Sequence, residues 1–126
     1  MQRFITLFCL VVMACVNVLA GVPFINHYGI EDYGSGHSTW RIASYNNWTF
    51  FANERALLAF DGISWERHLL NNRSEVRGVA VFPKEHRAYV GGENEYGYFE
   101  IGDNGVLNYH CLSDQVDKRF REVGNV

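Results

Sequence analysis

From Trp40 onward the chain is written in short β-branched and aromatic runs parted by turn residues. One unit runs Trp40-Arg41-Ile42-Ala43-Ser44, a polar turn at Asn46-Asn47, then Thr49-Phe50-Phe51-Ala52-Asn53 and Ala56-Leu57-Leu58-Ala59-Phe60. It closes with Asp61-Gly62 before Ser64-Trp65. A second unit runs Arg77-Gly78-Val79-Ala80-Val81, a turn around Pro83-Lys84-Glu85-His86, then Ala88-Tyr89-Val90-Gly91-Gly92 and Tyr96-Gly97-Tyr98-Phe99. It closes with Asp103-Asn104-Gly105 before Val106-Leu107. Runs of this kind predict strands, and Asp-Gly or Asn-Gly stands where tight hairpins need positive φ. Sustained helical periodicity is missing, apart from a weak hint over Glu54 to Phe60.

The two units are copies of one another. Ile42-Ala43 matches Val79-Ala80 at an offset of 37, and Phe50-Phe51-Ala52-Asn53 matches Tyr89-Val90-Gly91-Gly92 at an offset of 39. The drift of two residues falls in the turn, where insertions are tolerated. A period of about 40 residues with four strands per unit predicts an all-β fold of β-propeller-type blades. A generic antiparallel sandwich also has regular short strands, but the repeat favours the propeller. The predicted division is a targeting segment over 1–20, a lead-in over 21–39, one blade over 40–75, a second over 76–119, and the approach to a third over 120–126. Propellers have about four to eight blades, so two amount to an incomplete ring whose further blades lie elsewhere in a longer parent chain.

The first 20 residues have the layout of a secretory signal peptide. Arg3 supplies a positive start, Phe4 to Val16 form an apolar stretch broken only by Thr6, and Val18-Leu19-Ala20 offers a cleavage site. An uncleaved anchor would want about 20 apolar residues, which is longer than this run. Val12-Met13-Ala14-Cys15 resembles a bacterial lipobox with a poorly fitting Met13, which leaves lipid attachment through Cys15 as the alternative. Cleavage after Ala20 removes Cys9 and Cys15 and leaves Cys111 alone, so no internal disulfide and no thiolate metal site is expected. Cys111 itself reads as a half-buried strand residue.

Charge narrows the function classes. The whole chain has 11 basic and 14 acidic residues, so losing Arg3 leaves 10 − 14 = −4. Lys occurs only at Lys84 and Lys118, and no basic stripe for a nucleic acid is visible. An aromatic content of 15% is more than a disordered tail carries.

Candidate chemistry is sparse. The five histidines, His27, His37, His68, His86 and His110, lack metal-site spacing. Neither a P-loop nor a nucleophile elbow occurs, so no cofactor and no catalytic residue is assigned. Glu93 and Glu95 share a glycine-bounded segment, a weak hint of glycoside hydrolysis. Asn47-Trp48-Thr49 and Asn72-Arg73-Ser74 fit the glycosylation pattern, which is silent in a bacterial protein. Trp40 and Trp65 occupy framework places and are expected in the core. Trp48, placed in a turn, is the candidate ligand-binding residue.

The opening Gly21-Val22-Pro23-Phe24-Ile25-Asn26-His27-Tyr28, then Tyr33 and Gly36-His37-Ser38-Thr39-Trp40, resembles bacterial sensors built from two-component-regulator propeller repeats. The run Tyr89-Val90-Gly91-Gly92-Glu93-Asn94-Glu95-Tyr96-Gly97-Tyr98-Phe99 is similar to that family's successive strands, as are Phe50 to Asn53 and Leu57 to Gly62. The resemblance implies a periplasmic sensor of many blades, followed by a triple-tyrosine β-domain, one membrane helix and an output domain. The output is a histidine kinase or a LuxR-type DNA-binding domain. It implies a glycan ligand, noncatalytic sensing by the segment present here, and membrane attachment only through the parent's helix. The alternative is part of a secreted propeller enzyme or lectin acting on polysaccharide.

Overall fold

The computed structural model describes residues 1–6, 21, 23–122 and 124. The expected cleavage site at Val18-Leu19-Ala20 and the alternative anchor Cys15 lie outside the described residues. Among those described, no helix is long and apolar enough to cross a membrane.

The fold is all-β. Eight strands form two antiparallel four-stranded meanders. The first sheet holds β1 (Thr39–Tyr45), β2 (Trp48–Asn53), β3 (Leu57–Phe60) and β4 (Trp65–His68). The second holds β5 (Val76–Phe82), β6 (Arg87–Gly92), β7 (Tyr96–Ile101) and β8 (Leu107–Cys111). One short helix, α1 (Ile30–Tyr33), lies in the lead-in. Glu54 to Phe60, with its hint of helical spacing, ends as the strand β3, because Leu57, Leu58 and Ala59 are buried between neighbouring strands.

Turn chemistry acts where the sequence placed it. Asn46 takes a left-handed φ of 51° in the two-residue turn between β1 and β2. Between β3 and β4, Gly62 has φ 96°, and Asp61 Oδ1 accepts from the amides of Ile63 at 2.8 Å and Ser64 at 2.7 Å. Those amides, Ser64 first, hold the Asp61 carboxyl below its ordinary pKa of 3.8. The β5–β6 turn is longer, Pro83–Glu85 forming a 3-10 turn that ends at His86. Its additional residues are the drift seen between the two repeat offsets.

The registers make the two sheets repeats of each other in space. Ile42 pairs with Phe51 as Val79 does with Val90, Phe50 with Ala59 as Tyr89 with Tyr98, and Phe60 with Trp65 as Phe99 with Tyr109. Both inner strands carry the same irregularity, between Thr39 and Arg41 and between Val76 and Gly78. An extra residue at such a bulge re-aims its side chain. This explains why Trp40, expected in the core, is 44% exposed. Its repeat equivalent Arg77 lays a guanidinium over the Trp40 ring at 4.5 Å, joining β1 to β5.

Each sheet therefore has two distinct faces, here termed front and back. The front of the first sheet presents Tyr45, Trp48, Phe50, Ala52, Leu57 and Ala59. It packs on the back of the second, which presents Val79, Val81, Ala88, Val90, Phe99, Ile101 and Leu107. Leu70 and Val76, from the link between the sheets, complete this core. Gly97 is required where it stands, since a Cβ there would run into the backbone oxygen of His110 on the adjacent strand. Of the residues expected to open a third blade, Phe120 ends a 3-10 turn, and Gly124 exchanges backbone and side-chain hydrogen bonds with Asn94 at 2.8 Å each.

Two outcomes follow from this packing. Phe99→Ala removes a fully buried ring that touches both sheets and should destabilise by about 3–5 kcal/mol in urea titrations. Asp61→Asn tests the hairpin turn. A depressed folded pKa supplies stability above about pH 4 and loses it as pH falls through the folded value. The variant should thus show a flatter decline of melting temperature between about pH 4 and pH 2 than the parent.

Candidate functional site

At one end of the sheets, the β1–β2 turn of the first faces the β5–β6 and β7–β8 turns of the second. Between them lies a cleft of about 540 Å³ lined by Asn46, Asn47, Trp48, His86, Ile101, Gly102, Asp103 and Gly105. Trp48, expected in the turn, is instead the first residue of β2 and only 7% exposed. The two-residue turn is complete at Asn47, so Trp48 enters the ladder opposite Tyr45 and stacks beside Phe50, ring centres 6.1 Å apart. It lines the cleft from within the core.

The polar lining comes from turns rather than strands. Asn46 and Asn47 stand in the first-sheet turn, His86 holds a left-handed φ of 52° after the 3-10 turn, and Asp103 opens the β7–β8 turn. Tyr45 Oη and His86 Nδ1 share a hydrogen bond of 3.0 Å, which ties the two sheets together at the cleft. Two amides, an imidazole and a carboxylate around one buried indole can donate to and accept from a hydroxyl-rich ligand. Of these residues the sequence marked only Trp48 for ligand contact. His86 and Asp103 lie far from it along the chain, and only the stacking of the sheets brings them together.

The other polar candidates have structural partners. Glu95 is 4% exposed, and its carboxylate accepts from the amides of Asn71 and Asn72, both at 2.7 Å, and from the Tyr109 hydroxyl at 2.9 Å. Burial and then the Glu95 carboxylate hold the Tyr109 phenol well above its usual range, so it stays a donor. Glu93 is exposed, and its backbone oxygen accepts from the Asn72 amide side chain at 2.7 Å. The first sheet solves the same problem with Asn53, 1% exposed, which accepts from Ser35 Oγ at 2.7 Å and donates to Gly36 O at 2.8 Å. Both devices fasten the link that leads into a sheet to the far end of that sheet's second and third strands.

The remaining sequence candidates are scattered. His68 contacts Glu66 at 2.9 Å and the Phe99 ring, and His110 stacks on Tyr98, while His27 and His37 are exposed in the lead-in. Among the described residues, no three His, Cys, Asp or Glu gather as a metal site. Cys111 is half-buried in β8, its Sγ 3.1 Å from Ser113 Oγ. Asn47 and Asn72 are both exposed in turns. Trp65 lies on the back of the first sheet, stacked on Phe60 at 4.6 Å.

Glu95→Ala leaves two backbone amides and a phenol without their acceptor, and should cost about 3 kcal/mol or more by denaturant titration. Tyr109→Phe should cost about 1–2 kcal/mol. The double variant should fall short of the sum, because both report on one network.

Comparison of the chain with protein-family models, with curated proteins and with solved structures gave no match.

Proposed function

We propose that this chain is the noncatalytic, ligand-sensing part of an exported signalling protein, built as a ring of blade-like sheets of which two stand here. The observation that carries the reading is the stacking of two repeat-related sheets front on back, with the second sheet's front uncovered among the described residues. A contact that joins unlike faces propagates and closes only when the rotation per unit completes a circle, which is how blades make a propeller. The cleft beside Trp48 supports the sensing part of the reading. It straddles two sheets, combines an indole with hydrogen-bonding groups, and suits a glycan fragment. The partners in this reading are the parent's other blades and a sugar ligand. Kinase or DNA-binding activity belongs to an output domain beyond a membrane helix of the parent.

The test is to sequence and translate the DNA downstream of the Val126 codon. Further repeats of about 40 residues, then one apolar segment of about 20 residues and an output domain, are expected. A frame that closes at Val126 overturns the reading. So does one that runs into a catalytic domain with no membrane helix, which would make this part of a secreted enzyme.

A further inference from the structure

The hydrogen bonds around the cleft beside Trp48 set which of its groups give protons and which take them. Tyr45 Oη lies 3.0 Å from His86 Nδ1 and 3.4 Å from the carbonyl oxygen of Pro83. A phenol has one proton, and a carbonyl can only accept. Both bonds exist together only when the phenol donates to Pro83 and His86 Nδ1–H donates to the phenol oxygen. That arrangement fixes the neutral imidazole as the Nδ1–H tautomer and leaves Nε2 an acceptor. Among the described residues Nε2 has no partner.

The rest of the lining is equally unspent. Trp48 is only 7% exposed, yet its Nε1–H donates to no acceptor among the described residues. Trp65 Nε1 is also unpartnered but sealed inside the fold, whereas the Trp48 donor is not sealed and opens on the cleft that its ring lines. The side chains of Asn46, Asn47 and Asp103 likewise make no hydrogen bond or ion pair among the described residues. A nearly buried indole with a free donor, ringed by unpaired polar groups from two sheets, is a surface made for a ligand rather than for the fold.

The sign of the charge narrows the ligand. Asp103 is the one acidic residue of the lining, and neither Lys nor Arg belongs to it. Lys84 and Glu85, just before His86 in the chain, line a separate hollow with Phe82 and Pro83. An acidic sugar would set its anion against Asp103 with no cation to offset it. A protonated amine does the reverse. Its three donors match the acceptors on offer, namely the Asp103 carboxylate, His86 Nε2 and an amide oxygen of Asn46 or Asn47. A hydroxyl beside the amine can accept from Trp48 Nε1.

We infer that the ligand of this cleft is an amino sugar, an oligosaccharide with a free protonated amine, and that Asp103 sets the preference. The inference rests on the glycan-binding reading of the cleft and narrows it to one chemical class.

Isothermal titration calorimetry on the full chain tests it with three matched sugars. These are the β-1,4-linked glucosamine disaccharide, cellobiose, which has hydroxyls in place of the amines, and cellobiouronic acid, which adds a carboxylate. The amino sugar should bind at least about fivefold tighter than cellobiose, with the acid weakest. The gap should narrow in about 0.5 M salt. Asp103→Asn alters an exposed turn residue, so circular dichroism should match the parent. It should bring the amino sugar down to the affinity of cellobiose while cellobiose itself changes little. Equal affinities, a preference for the acid, or an amine preference that survives Asp103→Asn overturns the inference and leaves a sugar-binding cleft. Tighter binding of putrescine, an amine without a sugar, overturns it in favour of a simple amine. Binding of none of these probes overturns it along with the assignment of a sugar to the cleft. The wider sensor reading is decided separately, by the sequence downstream of Val126.

Discussion

Everything in this structure follows from sheets that are apolar on both faces. A half-buried antiparallel sheet alternates apolar and polar residues and is satisfied by one covering layer. Here β2 reads Trp48, Phe50 and Ala52 on one side and Phe51 on the other, and β3 reads Leu57 and Ala59 against Leu58 and Phe60. Burying a ring or a branched side chain is worth about 1.5–3 kcal/mol, so neither face of such a sheet can be left to water cheaply. Stacking answers half of the demand for each sheet and passes the other half outward. The segment over Tyr28 to Tyr33 covers part of the first sheet's back, edge-on to Phe60 and Trp65.

Polar groups buried at the sheet ends set the geometry of that stacking. Links between sheets cannot join a ladder, so their amides need other acceptors. Glu95 gives both carboxylate oxygens to the link before β5, and Asn53 gives its amide to the link before β1. Gly92 takes the register place of Asn53, and a Cβ there would strike Leu70 and the backbone oxygen of Glu75. The two repeats therefore exchange roles. Where the first clamps its link with a strand-end side chain, the second clears the strand end and clamps from the following turn.

Much of this was legible in the sequence. The repeat offsets of 37 and 39 appear unchanged in the strand registers, because turn residues and β-branched runs mark strand ends locally. Which face a residue occupies was less legible, since both faces are apolar and a period of two cannot choose between them. Trp40 went outward because the bulge is a property of the pairing with β2, with no residue type to announce it. Trp48 went inward because the turn is one residue shorter than a polar run of Asn-Asn-Trp-Thr suggests. The Glu95 clamp was hidden more deeply. Its two amide partners lie more than twenty positions away in a link without periodicity, and a Glu between Asn and Tyr reads as a surface residue.

The cleft beside Trp48 bears on how such an object could report a ligand. A bound molecule shifts an equilibrium only by its difference in affinity between two states. Within one rigid sheet there is little room for two states, since its ladder and side-chain pairs are fixed together. The junction between sheets is different, because at the cleft it is bridged by the hydrogen bond between Tyr45 and His86. A ligand held by Asn46 or Asn47 on one side and by Asp103 on the other would add its binding free energy to that junction. It would favour whichever angle between the sheets lets both sides reach it. In the ring proposed above, a change at one junction would be absorbed by the others, since front-on-back contacts that close leave no free end. Sensing at a junction rather than within a sheet is therefore the arrangement by which a stack of rigid units can carry a message.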